Sequence, residues 1–215
     1  MTILGPREAY RLWAPTYAAE TPVSFLDEQL AGIMLDGLPR EHLLDAGCGT
    51  GRRIAGIEGA IGVDASPEMI AAGQTQGLMV ADVRALPFPA TQFHMVWCRL
   101  VLGHLADPLP AYRELARVCR IGGHVFITDF HPDAVKAGGR RSFRDTRGLV
   151  HEVEHHVHAD YPVIATQTGL ALVDRREASV GPAIRDFYAR TGRLEVYEKT
   201  TDLKLVAAFL FRRVD

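Results

Sequence analysis

Apolar residues in this chain come in short runs, each cut off by glycine, proline or an acidic residue. His42–Ala46, Ala60–Asp64 (AIGVD), Leu78–Ala81 (LMVA), Phe93–Cys98 (FHMVWC) and His124–Asp129 (HVFITD) predict five strands. Residues 6–19 and 24–36 carry apolar positions at helical spacing, Ser66-Pro67-Glu68 opens another helix, and Ala111–Arg120 reads as an amphipathic helix stopped by Gly122-Gly123. Further on, Asp160–Gly169 predicts a short helix with Asp160 as its N-cap, and Leu170–Arg175 a strand. Residues 181–199 read as a mixed helical stretch and Leu205–Arg212 (LVAAFLFR) as the last strand. Short apolar strands alternating with helices imply an α/β fold, a doubly wound, mostly parallel sheet covered on both faces. Ligands of such sheets sit at the carboxyl ends of the strands, so the residues just after each strand carry the functional information.

Bulk properties narrow the possibilities. A chain of 215 residues suits a single domain with a sizeable core. The net charge of −2 and scattered arginines give no field for nucleic acid or an anionic membrane, and no apolar run reaches membrane-spanning length. Three widely spaced cysteines, Cys48, Cys98 and Cys119, fit a reducing compartment, and the first residues lack a secretory-signal pattern. The expectation is a cytoplasmic protein acting on a small molecule, with its oligomeric state left open.

The first strand ends in LLDAGCGTG, with glycines at Gly47, Gly49 and Gly51. A dinucleotide fingerprint needs G-x-G-x-x-G, and the last of those places is Arg52. Asp45, two residues before the first glycine, would repel a pyrophosphate and attract an ammonium. Glycines admit close backbone approach, and the free N–H groups beyond them suit a carboxylate. Asp64 ends the second strand, where an acid can accept both hydroxyls of a ribose. Asp82 ends the third, where it can accept from an adenine amino group while the amide of Val83 meets a ring nitrogen. Amino acid, ribose and adenine in one row describe S-adenosylmethionine.

LLDAGCGTG, IGVDASPEMI, VADVRALPFP and ELARVCRIGG resemble successive motifs of class I S-adenosylmethionine-dependent methyltransferases, in particular the small-molecule branch that includes the quinone-biosynthesis enzymes. The resemblance covers about residues 6–131 well and the remainder loosely. It implies a seven-stranded Rossmann-like sheet with a lid or hairpin insertion after the fifth strand. Residues 1–37 would be a helical lid, 38–131 the cofactor core, and 132–159 and 179–200 the acceptor pocket. It also implies roles at matching positions. Tyr17 would cover the methionine end, Asp45, Gly47, Gly49 and Gly51 would cradle it, and Asp64 would hold the ribose. Ala65 and Met69 would pack the adenine, Asp82 and Val83 would read its edge, and Cys98 and Arg99 would close the floor near the methionine. One departure is the short segment Arg52–Gly59, where the family usually has a longer helix.

The stretch HEVEHHVH, residues 151–158, contains the H-E-x-x-H pattern of zinc proteases. On a helix, His151 and His155 would share a face and could share a metal; on a strand they would stand about 13 Å apart. The turn signal Thr146-Arg147-Gly148 and the helix start at Asp160 favour a strand, pairing with Arg140–Asp145 as a hairpin. Its inward face would carry Leu149, His151, Val153, His155 and Val157, with Glu152, Glu154, His156 and His158 in solvent. The expectation is therefore a pocket wall and no metal site. His131, just after the fifth strand, and His155 are the two candidates for a general base, each balanced by a merely structural role. Histidines in the pocket would suit O- or C-methylation of a phenol-like or activated aromatic acceptor. A zinc hydrolase, a nicotinamide-dependent dehydrogenase and a cofactor-binding protein without catalysis are the competing classes.

Overall fold

The computed structural model describes residues 2–158 and 160–215. β1 (Thr2–Leu4) and α1 (Pro6–Trp13) lead through a 3-10 turn at Ala14–Thr16 into α2 (Pro22–Met34). Then follow β2 (Leu43–Ala46), β3 (Ile61–Asp64), α3 (Pro67–Ala72), β4 (Leu78–Val80), β5 (Phe93–Arg99), α4 (Leu109–Val118) and β6 (Cys119–Phe130). The rest is α5 (Pro132–Lys136), β7 (Ser142–Arg144), β8 (Val150–Val153), α6 (Tyr161–Thr166), β9 (Leu170–Ser179), α7 (Arg185–Arg190), α8 (Leu194–Thr200) and β10 (Lys204–Arg213).

The seven-stranded sheet runs β4-β3-β2-β5-β6-β10-β9. β10 is antiparallel to both its neighbours, and the pairs from β4 to β6 are parallel. Strand alternation divides the buried residues between two cores. Leu44, Ala46, Val96, Cys98 and Ile127 join α4 and α6 on one face, and Leu43, Met95, Trp97 and Phe126 join α2 on the other. The chain order reverses between β2 and β5, which opens a crevice at their carboxyl ends.

Local chemistry sets the helix starts. Thr21 and Ser24 form a reciprocal capping box ahead of Pro22, and the Ser66 hydroxyl accepts from the Met69 amide. Asp160 precedes α6 as expected but makes no side-chain cap bond. The predicted helix end at Cys119–Arg120 is already strand: β6 begins at Cys119, and Gly122-Gly123 lie inside it. A methyl group on Gly123 would press on the carbonyls of His94 and Arg120, so the two glycines let a kinked strand run close to β5. Residues 181–199 divide into a 3-10 turn, α7 and α8, whose Phe187, Tyr188 and Tyr197 pack on the α2 side of the sheet.

A second sheet, β1-β8-β7, has no sequence counterpart for its first strand. β7 and β8 form the expected hairpin, with Phe143 opposite His151. β1 adds in parallel to β8, so the chain's first residues and the HEVEHHVH stretch are one unit.

Candidate active site

One cavity of about 500 Å³ lies over the carboxyl ends of the strands, a size suited to a small-molecule site. Its walls hold Gly47 and Gly49, Asp64 and Ala65, Asp82 and Val83, and the segment after β5, while Tyr10 and Tyr17 cover it from the N-terminal region. Gly47 has φ +86°, and a Cβ there would overlap Val101, so this turn accepts only glycine. The Tyr17 ring and Met69 Cε both stand close to Gly49, where a Cβ would touch them. Gly51 turns away and packs on Leu78 and Thr75, so it shapes the loop without lining the cavity. Asp64 accepts the Gly49 amide on one oxygen and the Ser66 amide on the other, both at 2.8 Å. Each oxygen keeps a lone pair toward the cavity, and burial raises the carboxyl pKa. Asp82 is held by Arg84 at 2.6 Å, and that hydrogen bond lowers its pKa.

Of the predicted cofactor residues, Asp45, Gly51, Met69 and Cys98 do not line the cavity. Met69 is fully buried and supports the loop from beneath, and Cys98 is fully buried among Val96, Ile127 and Tyr112 on the α4 face. Cys98 and Arg99 point to opposite faces because they are neighbours on a strand. Arg99 does reach the cavity wall, but its guanidinium is engaged by α2: Asp27 accepts from Arg99 at 2.8 Å, from Arg53 at 3.0 Å and from Thr128 at 2.6 Å. Burial pushes the Asp27 pKa up, and Arg53 followed by Arg99 outweigh it, leaving it below the ordinary value. Arg53 was not expected from sequence, and neither was Asp27.

Beside this ion cluster Asp45 is completely buried, and among the described residues neither of its oxygens has a hydrogen-bond partner. Burial lifts its pKa to about 6. An orphaned carboxylate under a glycine loop is expensive unless a cation meets it. A ligand ammonium supplies one, so the residues present fit the amino-acid end of S-adenosylmethionine.

The histidines fall into three places. His104 lines the cavity. Its Nδ1 lies 3.1 Å from the Glu154 carbonyl, which can only accept, so Nδ1 carries the proton and Nε2 accepts from the Tyr10 hydroxyl at 2.9 Å. His155 lies one layer behind, against Gly103, with Nε2 3.2 Å from Asp129. Burial raises the Asp129 pKa, but the His155 hydrogen bond leads the groups that bring it down to about 2. The expected inward face holds for His151, Val153 and His155, whereas Leu149 and Val157 are exposed. His158, expected in solvent, bonds the Leu105 carbonyl, and the His156 amide donates to the Gly103 carbonyl. HEVEHHVH is thus β8 followed by an extended strap that clamps the loop after β5. His151 and His155 engage different carboxylates, Asp145 and Asp129.

His131 departs most from expectation. Its Nδ1 accepts the Asp133 amide as the cap of α5, which leaves Nε2 as a donor 3.3 Å from Glu177. It walls a separate cavity of about 220 Å³ with Glu177, His158 and Tyr161, and that cavity shares no lining residue with the first. Neither expected base, His131 or His155, is on the wall of the main cavity.

A glycine loop after β2, an acid at the end of β3, a second acid after β4 and this strand order are the arrangement of class I S-adenosylmethionine-dependent methyltransferases, and the similarities to known proteins support that class for the chain. The methyltransferase-domain family model matches residues 44–127. The chain is 28% identical over 183 residues to a malonyl-[acyl-carrier protein] O-methyltransferase of Dechloromonas aromatica, covering 80% of this chain and 68% of that protein. It is 31% identical over 129 residues to the protein of that name from Herminiimonas arsenicoxydans, covering 56% of this chain and 44% of the relative. With the 27-O-demethylrifamycin SV methyltransferase of Amycolatopsis mediterranei it shares 29% over 150 residues, 61% of this chain and 55% of the relative. The chain therefore spans about half to two thirds of the lengths of these relatives. Among solved structures, an S-adenosylmethionine-dependent methyltransferase from Mesorhizobium loti superposes with a TM-score of 0.63 at 19% identity, covering 89% of this chain and all of the other. The [4+2]-cyclase SpnF gives 0.64 at 19% identity, covering 97% and 94%. These likenesses show the fold.

Proposed function

We propose that this protein transfers a methyl group from S-adenosylmethionine to an oxygen of a small acceptor. The observation that carries the reading is the pair of acids on the glycine loop: Asp45 buried without a partner, and Asp64 open to the cavity with both oxygens anchored by backbone amides. Two relatives named as O-methyltransferases, and a third named for a 27-O-demethyl compound, support oxygen as the methylated atom. When bound, the cofactor supplies a methyl group activated by a sulfonium. Asp45 binds its ammonium, Asp64 its ribose hydroxyls, and the Asp82–Val83 corner its adenine edge. Tyr10 and Tyr17 exclude water and align the acceptor behind the methyl carbon, and such alignment can supply much of the rate. The three free, buried cysteines support a cytoplasmic setting.

Calorimetry tests the binding half. S-adenosylmethionine and S-adenosylhomocysteine should bind with one site per chain, and NAD should not. Tight NAD binding without response to either would overturn the reading. Cofactor binding with no methylated product from any acceptor screened would leave a binding protein, or another chemistry on the same fold, in its place.

A further inference from the structure

We infer that the second cavity, the one walled by His131, is a binding site for a tetrahedral oxyanion, either inorganic phosphate or a small phosphate monoester. Its floor is apolar: Ala207 and Phe209 of β10, with the Tyr161 ring stacked on Phe209 at 5.3 Å and 20°. Its walls are charged. Lys136 comes from α5, Arg175 and Glu177 from β9 and Lys204 from the start of β10, and Asp133, about half exposed, completes them. Three cations against two carboxylates leave one positive charge unmatched.

Glu177 gathers these groups without using them up. Arg175 Nη2 donates to one of its oxygens at 2.6 Å, Lys204 Nζ lies 2.6 Å from the other, and His131 Nε2 faces it at 3.3 Å. Lys204 first, then Arg175 and His131, outweigh burial and hold the carboxyl down to about 2, so it is ionised at any working pH. An ammonium has three N–H groups and a guanidinium five, and among the described residues Arg175 and Lys204 meet no carboxylate besides Glu177. Arg175 is further fixed by the Phe209 ring, whose centroid lies 5.6 Å from its guanidinium. Lys136 is freer still, with Nζ 3.9 Å from Asp133.

The donors approach from three elements, α5, β9 and β10. A carboxylate offers two coplanar oxygens to such a set, whereas a phosphate presents oxygens to every side and carries up to two charges. The apolar floor gives the organic group of an ester a place to lie. The site is distinct from the main cavity, although both back onto the loop after β5. His158 Nε2 lies 2.8 Å from the Leu105 carbonyl, and the Tyr161 hydroxyl donates at 2.8 Å to the Asp129 oxygen that also accepts the Gly103 amide. His158 and Tyr161 wall this cavity and Leu105 walls the other.

The test is an NMR titration with inorganic phosphate, against acetate at matched ionic strength. Phosphate should bind saturably and acetate about tenfold or more weakly. Lys204→Gln and Arg175→Gln should each weaken phosphate about tenfold, the loss of one charge-assisted hydrogen bond. Both side chains are about half exposed, so the fold does not depend on them. Glu177→Gln should act in the opposite sense and tighten phosphate several-fold, because the donors lose a competing anion. Glu195→Gln, an exposed acid on α8, should change nothing, which separates the site from an effect of net charge. S-adenosylhomocysteine should not displace the phosphate. Tighter binding of phenyl phosphate than of inorganic phosphate assigns the site to an organic phosphate, and the reverse order assigns it to free phosphate. The inference is overturned by any of these results: no saturable binding, acetate equal to phosphate, unchanged affinity in Lys204→Gln and Arg175→Gln, weaker binding in Glu177→Gln, or displacement by S-adenosylhomocysteine.

Discussion

Asp45 bears a charge that the fold itself leaves unmatched, and this makes it a reporter of cofactor binding. Its folded pKa of about 6 lies above the unfolded value near 3.8 because burial disfavours the anion. A group raised in this direction contributes stability that is complete below the unfolded value and lost as pH rises through 6, about 3 kcal/mol in all. The apo protein should therefore melt lower at pH 7 than the same protein with Asp45→Asn, and the gap should narrow as pH falls and close only below about 4. Cofactor binding needs the ionised form, so affinity for S-adenosylhomocysteine should fall as pH drops below 6, by up to about tenfold per unit. Calorimetry from pH 5 to 8 measures both, and a flat affinity profile in the wild type would remove the ammonium contact. Asp64 gives a plainer expectation. Asp64→Ala deletes two ligand-facing acceptors and should weaken S-adenosylhomocysteine by about 1–3 kcal/mol. These residues were legible in the sequence because position relative to a strand end defines them. His131 stands at a strand end as well, yet a single such position can face either side of a sheet, and in this chain the backbone at α5 took its lone pair.

At the scale of elements, α2 is fastened to the sheet by charge as well as by packing. Leu26, Leu30 and Met34 bury its apolar stripe, and Asp27 goes in with them at 0% exposure, held by Arg53, Arg99 and Thr128. Removing one member of such a cluster strands the others, which costs about 3–5 kcal/mol, whereas an exposed pair is worth about 1 kcal/mol or less. Asp27→Ala should lower stability by the larger amount in urea unfolding, and Glu28→Ala, half exposed on the same helix, by the smaller. Comparable losses for the two would show that the cluster does not hold α2. Nothing in the sequence pairs Asp27 with Arg99, because 72 residues separate them and only the fold joins them. The core strands β2 to β6 and β10 were readable because apolar runs bounded by breakers are a local signal. β1 was not: three residues on the rim of a small sheet carry no period to detect, and their pairing with β8 is a long-range contact. The end of α4 was misplaced because Gly122-Gly123 is a stop signal in a helix and a close-approach device in a strand, and sequence alone does not distinguish them.

For the molecule as a whole, the cover of the cavity is attached to the insertion after β6 more than to the main sheet. α1 supplies Pro6, Arg7 and Tyr10 to the cavity, β1 before it pairs with β8, and Trp13 at its end stacks on Phe143 of β7 at 4.9 Å and 9°. The strap after β8 in turn holds the loop after β5 through His155, the His156 amide and His158. Lid, hairpin and cavity floor are thus one mechanical unit, and the stack of Trp13 on Phe143 is one of its joints. An aromatic stack of this kind is worth about 0.5–1.5 kcal/mol beyond the area it buries. Trp13→Ala and Phe143→Ala should each speed release of S-adenosylhomocysteine several-fold in stopped-flow chase experiments, with the association rate nearly unchanged, because the loss falls on the closed, ligand-bound state. The double variant should release the ligand hardly faster than either single one, since both substitutions remove the same contact. Strictly additive effects would mean that the two rings act on the cavity separately and that the lid is held by α1's packing on α3 instead.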